Sequence, residues 1–184
     1  MPHLTRIGLR FSGALLALAV AGCQLPMMQR DDDAPLPISR APEGCGTRSA
    51  ETPPVLRLPR TSVPKDGGGS LELAQVHTVN QPLEQAGVWT DYDDNWSLLA
   101  LELGSPGARS IAVRLRESHL PPQTEIWLCS PDRRLRHGPY REATGGELWT
   151  PVVTGDRAVL QVWIPTARKS QLHALLADVY GGYR

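Results

Sequence analysis

The chain has 184 residues, with 19 basic residues against 19 acidic ones, so its formal charge at neutral pH is zero. That length allows one domain plus a tether, and the lack of a basic excess argues against nucleic acid as a partner. The three cysteines have no CxxC spacing, and we expect neither a metal nor a cofactor.

The N-terminus has the pattern of a secretory signal. Arg6 and Arg10 precede a short apolar run at 11–21 that ends in small residues. The run is shorter than the roughly 20 apolar residues that a membrane-spanning helix needs. We therefore predict that residues 1–22 are a signal peptide that is removed.

The residues at the predicted cleavage point are Val20, Ala21, Gly22 and Cys23. They resemble the lipobox of bacterial lipoproteins, which implies a diacylglycerol on the Cys23 sulfur and an acylated N-terminus that together hold the protein on a membrane. In that family Asp after the Cys is associated with the inner membrane, so Gln24 favours the outer membrane, facing the periplasm or the cell surface. The alternative is an ordinary signal cut near Ala21, with Cys23 as an incidental thiol.

Residues 23–66 are predicted to be the lipidated N-terminus and a Pro-rich linker. This segment contains eight prolines and no aromatic residue, and each proline lacks the N–H that a helix or strand ladder uses. The aspartates at 31–33 add a solvated charge run, and the glycines at 67–69 form a flexible joint. We predict a disordered tether here and a folded domain at 67–184.

The remaining sequence predicts short strands. Every aromatic residue of the mature chain lies after position 88, and large rings dominate core burial. Segments 111–115, 126–129 and 157–164 alternate with a period of two, segment 96–103 is apolar on both faces, and Leu71, Leu73 and Val76 are candidates for a first strand. Segment 172–179 is compatible with a helix or a last strand. The pattern predicts an all-β fold, an antiparallel, jelly-roll-like β-sandwich.

Two cysteines remain once Cys23 is assigned to lipid. In an oxidising compartment Cys45 and Cys129 favour a disulfide. That bond would close a loop of roughly 85 residues and contribute at most about 4–5 kcal/mol by the chain-entropy argument. The alternative leaves Cys129 as a small strand residue and Cys45 as an exposed thiol.

A series of short motifs runs through the last 100 or so residues. In order they are Trp89, Trp96, Ser105-Pro106-Gly107-Ala108, Leu120-Pro121-Pro122, Gly138-Pro139-Tyr140, Gly146-Glu147-Leu148-Trp149-Thr150-Pro151, Gly155-Asp156 and Gly181-Gly182-Tyr183-Arg184. The series resembles the non-catalytic N-terminal domain that precedes the trypsin-like domain in bacterial lysyl-endopeptidase-type serine proteases. The resemblance implies a β-sandwich and an association with proteases, and it transfers no active residue.

No catalytic residues are predicted. A trypsin-like domain would bring a Gly-Asp-Ser-Gly-Gly turn and an Ala-Ala-His-Cys segment, whereas Gly155-Asp156 is followed by Arg157. We expect a non-enzymatic, lipid-anchored envelope lipoprotein that binds a protein or a ligand, with an envelope protein or protease as partner. The alternatives are a truncated remnant or N-terminal part of a trypsin-like serine endopeptidase that has lost its catalytic domain, and a small hydrolase with an unfamiliar site.

Two groups of residues are candidates for a binding surface. Trp127 and Trp163 fall opposite the regular apolar stripes of their strands, where exposed rings would form a stacking platform for sugars or peptides. The alternative is that another part of the chain covers them. Arg133, Arg134 and Arg136, with His137 beside them, could hold an anionic headgroup or phosphate, and the alternative is a solvated hairpin tip.

The acidic run at 91–95 and Glu102 match the carboxylate spacing of a calcium-binding loop. Trp96 stands where that loop requires Gly. A polar hairpin turn is therefore the plainer interpretation, because Asp and Asn favour turns.

The Leu148-Trp149 pair lies between Glu147 and Pro151, shortly before the Gly155-Asp156 turn. This arrangement predicts that the Trp149 ring is buried over one edge of the sandwich core. The alternative makes Trp149 an exposed ligand anchor.

Overall fold

The computed structural model describes residues 44–45, 52–63 and 73–183. The signal peptide, Cys23, Leu71 and most of the predicted tether lie outside the described residues. The described strands are β1 (Val55–Arg57), β2 (Ala74–Pro82), β3 (Val88–Asp91), β4 (Trp96–Gly104), β5 (Ser110–His119), β6 (Glu125–Cys129), β7 (Arg136–Tyr140), β8 (Leu148–Trp149), β9 (Val153–Thr154), β10 (Arg157–Pro165) and β11 (His173–Gly182). A short helix α1 (Leu83–Ala86) follows β2, and a 3₁₀ helix (Thr166–Gln171) precedes β11.

Six strands form one sheet in the order β1, β4, β10, β6, β7, and β3 also pairs with β4. The apolar strand β4 is central, as its sequence predicts, and β10 pairs with it antiparallel over its whole length. Strands β3 and β1 share the other edge of β4, where β3 is antiparallel and β1 is parallel. The prediction of purely antiparallel pairing is therefore wrong for β1, and the sheet is mixed.

Five strands form the second sheet in the order β2, β11, β5, β8, and β9 also pairs with β5. The two short strands share one edge of β5, with Leu148 opposite Leu115 and Val153 opposite Ile111. Strand β11 pairs with both β2 and β5 and has an irregular register between Leu176 and Asp178. The ambiguous segment near the C-terminus is thus a central strand.

Alternate residues of both sheets meet in one buried apolar cluster. Its members from β4, β10, β5 and β11 include Leu99, Leu101, Leu103, Leu160, Val162, Ile111, Val113, Leu115, Leu176 and Val179. Because a single cluster draws its side chains from both sheets, the sheets pack face to face in the manner of a β-sandwich. The predicted all-β, two-sheet class is confirmed.

The folded part begins earlier in the chain than the predicted boundary at residue 67. The Leu58 N–H donates to the Gly104 carbonyl at 2.8 Å, and Leu58 belongs to the buried cluster. Prolines flank this segment, but a strand at a sheet edge tolerates nearby proline because only one of its sides must pair. The prediction that residues 52–63 belong to a disordered tether is wrong.

The predicted first strand of the domain is present as β2, which begins at Ala74. Leu73 and Val76 are exposed, whereas His77 is buried and Val79 packs against the core cluster. Val76 therefore lies on the outer face of this sheet, which carries the site described next.

Candidate functional site

Trp149 is the one exposed tryptophan among the five, all of which lie in the described residues, and 53% of its surface is accessible. The prediction that its ring is buried is wrong. Its neighbour Leu148 is 4% exposed and belongs to the core cluster. Because successive side chains of a strand point to opposite faces, Trp149 must point away from the core.

The ring of Trp149 lies across the outer side of the five-stranded sheet. The guanidinium of Arg114 on β5 lies over the ring, 4.8 Å from its centroid. The ring of Tyr180 on β11 is 5.4 Å away with an interplanar angle of 37°. The indole Nε1 donates to Oε2 of Glu147 at 3.3 Å. These contacts fix the orientation of an exposed aromatic ring.

Ion pairs surround the ring. Arg114 donates to Oε1 of Glu147 at 2.8 Å, and its other terminal nitrogen lies 3.5 Å from Asp178. The Thr78 hydroxyl donates to Oδ1 of Asp178 at 3.0 Å. Arg116 adds a longer contact of 3.7 Å to Glu147. We call the surface formed by Thr78, Arg114, Arg116, Glu147, Trp149, Asp178 and Tyr180 the Trp149 face.

The charges of the Trp149 face stabilise one another. The hydrogen bond from Arg114, and after it the one from the Trp149 indole, lowers the pKa of the Glu147 carboxyl. The same contact with Glu147 raises the pKa of the Arg114 guanidinium. The carboxylate and the guanidinium are therefore both charged at neutral pH and form an ion pair next to the ring.

Trp127 and Trp163 do not form an open platform. Their side chains are 8% and 3% exposed. They belong to a second buried cluster on the outer side of the six-stranded sheet, together with Trp96, Leu98, Cys45 and Cys129. A β-carbon at Gly44 would overlap the Trp127 ring. The prediction of a stacking surface here is wrong, because Gly44 lies against the Trp127 ring and the Tyr92 ring lies 5.4 Å from that of Trp163.

The predicted disulfide between Cys45 and Cys129 is present, with Cα atoms 5.9 Å apart. The N–H of Cys45 donates to the Gln161 side chain at 3.0 Å. The disulfide and this hydrogen bond hold residues 44–45 against the buried tryptophans, so the crosslink serves to close the outer face of this sheet.

The arginine cluster lies at the tip of the β6–β7 hairpin. The Ser130 N–H donates to the Leu135 carbonyl at 2.9 Å, which closes the turn. Arg134 has a side chain 88% exposed and lies 3.6 Å from Asp132, while Arg136 donates to the Arg133 carbonyl. The structure thus gives a solvated hairpin tip, and binding of an anionic headgroup there stays a prediction.

The acidic run forms the β3–β4 hairpin turn. Tyr92 and Trp96 are joined by a backbone hydrogen bond, and Asn95 has φ of 64°, a conformation that Asn tolerates better than most residues. Asp91 binds Ser97 and Lys169, whereas Glu102 lies farther along β4 and pairs with Arg157. The carboxylates therefore do not converge as a calcium loop requires.

A buried polar cluster joins Thr61, His77 and Ser105, and no local sequence pattern indicates it. The two hydroxyl oxygens are 2.7 Å apart, and each lies 3.3 Å from Nε2 of His77. Burial lowers the pKa of His77, so its ring is neutral at pH 7. Ser105 is fully buried, and the cluster links the β1 segment to the second sheet.

A concave region of about 550 Å³ lies beside Trp89 and is lined also by Glu84, Thr166, Lys169, Ser170 and Leu172. The Lys169 ammonium lies 4.7 Å from the Trp89 ring centroid and donates to Asp91 at 3.0 Å. Trp89 is only partly exposed, whereas Trp149 is 53% exposed, which leaves the Trp149 face as the stronger candidate for binding.

Comparison of the chain with protein-family models, curated proteins and solved structures gives no match. Within the described ranges, no group of three or more His, Cys, Asp or Glu side chains is arranged to hold a metal. Of the helices in the described part of the chain, none has the length and apolar character needed to cross a bilayer.

Proposed function

We propose that this chain is a lipid-anchored envelope lipoprotein whose two-sheet domain acts by binding and carries no catalytic site. The observation that supports binding most directly is the exposed ring of Trp149. Contacts with Arg114, Tyr180 and Glu147 fix the orientation of this ring, so a ligand would meet a surface that is already ordered. Trp, Tyr and Arg are also the residues most enriched at binding hot spots, and Trp149, Tyr180 and Arg114 meet here.

The anchor rests on the sequence around Cys23, and the finer architecture is part of the same proposal. In it, a jelly-roll-like sandwich stands away from the outer membrane on the part of the Pro-rich tether that precedes the folded segments. Such a spacer would leave the Trp149 face free to meet a partner in the envelope.

Membrane fractionation tests the anchor. The substitution Cys23→Ala should leave the protein unlipidated and release it from the outer-membrane fraction, because a single thiol carries the lipid. The matched variant Gln24→Asp should stay lipidated and shift towards the inner membrane. Sedimentation of Cys23→Ala with membranes after salt and carbonate washes would contradict the anchor.

Photo-crosslinking in cells tests the binding surface. Val152 is 57% exposed and lies three residues after Trp149, so a crosslinking amino acid there should trap whatever occupies the face. Adding Trp149→Ala to the same chain should abolish the adduct. Adding Leu135→Ala, a change at an exposed residue of the β6–β7 turn, should not. An adduct that persists without Trp149 would count against this surface.

The absence of catalysis has its own test. The purified protein should not react with a fluorophosphonate probe, because Ser105, the serine hydrogen-bonded to His77, is buried. Labelling that disappears in Ser105→Ala would establish a hydrolase instead.

A further inference from the structure

We propose that the Trp149 face binds a neutral polysaccharide chain. This inference rests on the proposed binding function and names its ligand class. It follows from the orientation of the ring, the hydrogen-bonding groups beside it, and the balance of charge on the face.

The Trp149 ring is 53% exposed although Arg114 and Tyr180 both contact it. Both neighbours belong to strands of the same sheet, since β8 pairs with β5 and β5 pairs with β11. The exposed half of the ring is the part that a ligand can contact. A flat aromatic surface of this kind suits the C–H face of a pyranose ring, which is the apolar part of a sugar.

The groups at the edge of the ring suit hydroxyl groups. A carboxylate offers about four lone-pair positions, and Glu147, whose side chain is 38% exposed, contacts Arg114, Arg116 and the Trp149 indole, which leaves part of that capacity for a ligand. Thr78 and Arg114 add a hydroxyl and a guanidinium on the same side of the sheet. A sugar hydroxyl can donate to the carboxylates and accept from the guanidinium, so the rim fits a ligand with many hydroxyls.

The charge of the face favours a neutral ligand. Two guanidinium groups, Arg114 and Arg116, stand against two carboxylates, Glu147 and Asp178, and they pair with one another. An anionic polymer would meet no excess of positive charge here. Because the ion pairs already fix these side chains, a neutral ligand would also lose little side-chain entropy on binding.

The face extends along the sheet, which favours a chain over a single sugar. In the next row of the sheet Val76 and Ala112 flank Tyr180 on either side. A protein interface normally has a larger apolar core inside a polar rim, whereas the groups that hold the Trp149 ring in place are mostly charged. A protein partner is the competing outcome of the test below, and Val76 is the residue that it would use most.

The test is calorimetric titration of the purified lipoprotein in detergent with cellohexaose, chitohexaose and maltohexaose, and co-sedimentation with their insoluble polymers. At least one neutral glycan should bind. Trp149→Ala should weaken that binding about tenfold or more, since it removes the stacking surface. Trp149→Tyr should restore part of it, and the control Leu135→Ala should leave it unchanged.

Three results would overturn the proposal: no neutral glycan binds, Trp149→Ala binds as well as the parent, or only the anionic polymer polygalacturonate binds. The crosslink at Val152 then distinguishes a failure of the glycan proposal from a failure of the proposed binding function. A protein adduct that depends on Trp149 and is lost in Val76→Asp would refute the glycan and keep the binding function. No Trp149-dependent adduct of any kind would refute both.

Discussion

The outer faces of the two sheets differ in how far their tryptophan side chains are exposed. On the six-stranded sheet, Trp96, Trp127 and Trp163 lie on the outer face and are nearly inaccessible. On the five-stranded sheet, Trp149 also lies on the outer face and is half exposed. Tryptophan side chains on the outer face are thus buried on the six-stranded sheet and exposed on the five-stranded sheet.

The difference comes from a covering segment. Gly44 and Cys45 lie against Trp127 and are held there by the disulfide to Cys129. Among the described residues, the contacts that hold Trp149 come from side chains of its own sheet and the neighbouring Glu147. In the part of the chain that the structure describes, outer-face tryptophans are buried on one sheet, while the Trp149 ring on the other sheet is half exposed, as a binding surface requires.

The largest expected loss of stability comes from removing a buried tryptophan ring. Trp163→Ala should destabilise the domain by about 3–5 kcal/mol, because truncation of a buried Trp removes apolar contacts and leaves a cavity. Trp149→Ala should cost about 1 kcal/mol or less, since half of its ring is in water. Urea unfolding of the two variants measures both values.

The comparison would fail if the two variants had similar midpoints, or if Trp149→Ala were the less stable. Val63→Ala is a suitable control, because Val63 is 58% exposed and its truncation should leave the midpoint unchanged.

Loss of the disulfide should have the next largest effect. The double variant Cys45→Ser/Cys129→Ser should be about 2–4 kcal/mol less stable, because the bond closes a loop between residues 84 apart in the sequence. It should also make Trp127 accessible to a collisional quencher such as acrylamide. If acrylamide quenched Trp127 no more in the variant than in the parent, the disulfide would not be what holds residues 44–45 over the ring.

A smaller, pH-dependent effect is expected on the open face. The pKa of Glu147 is lowered in the folded protein by Arg114 and by the indole of Trp149. Its stabilising contribution is therefore complete above the ordinary Glu pKa of about 4.3 and is lost as the pH falls through the lowered value. Thermal unfolding should show a steeper acid loss of stability in the parent than in Glu147→Gln. Identical acid profiles would refute the Glu147–Arg114 coupling.

Period-two patterning predicted much of the fold. It located β5, β6 and β10, and it placed Trp127 and Trp163 correctly on the side away from the core; β4 was indicated instead by its continuous apolar run. It could also have placed Trp149, since Leu148 and Trp149 are adjacent in one strand and cannot both face the core. The prediction is wrong there because it assigns the adjacent residues Leu148 and Trp149 to the same buried side of the strand.

Contacts between distant segments could not be read from local pattern. The Trp127 ring lies against Gly44, and the edge position of β1 depends on parallel pairing with β4, whose partner residues are 47 positions later, as in Val55 and Glu102. A three-residue strand among prolines has too little pattern to be distinguished from a linker. The partners of Trp149, from β5 and β11, likewise come together only through sheet pairing.

The most direct test of the central claim is tryptophan oxidation by hydroxyl radicals, read by mass spectrometry in intact cells and in the purified protein. Trp149 should be oxidised readily in the purified protein and protected in cells, where its ligand is present. Trp127 and Trp163 should be protected in both. If Trp149 is oxidised equally in cells and in isolation, the Trp149 face is not an occupied binding surface.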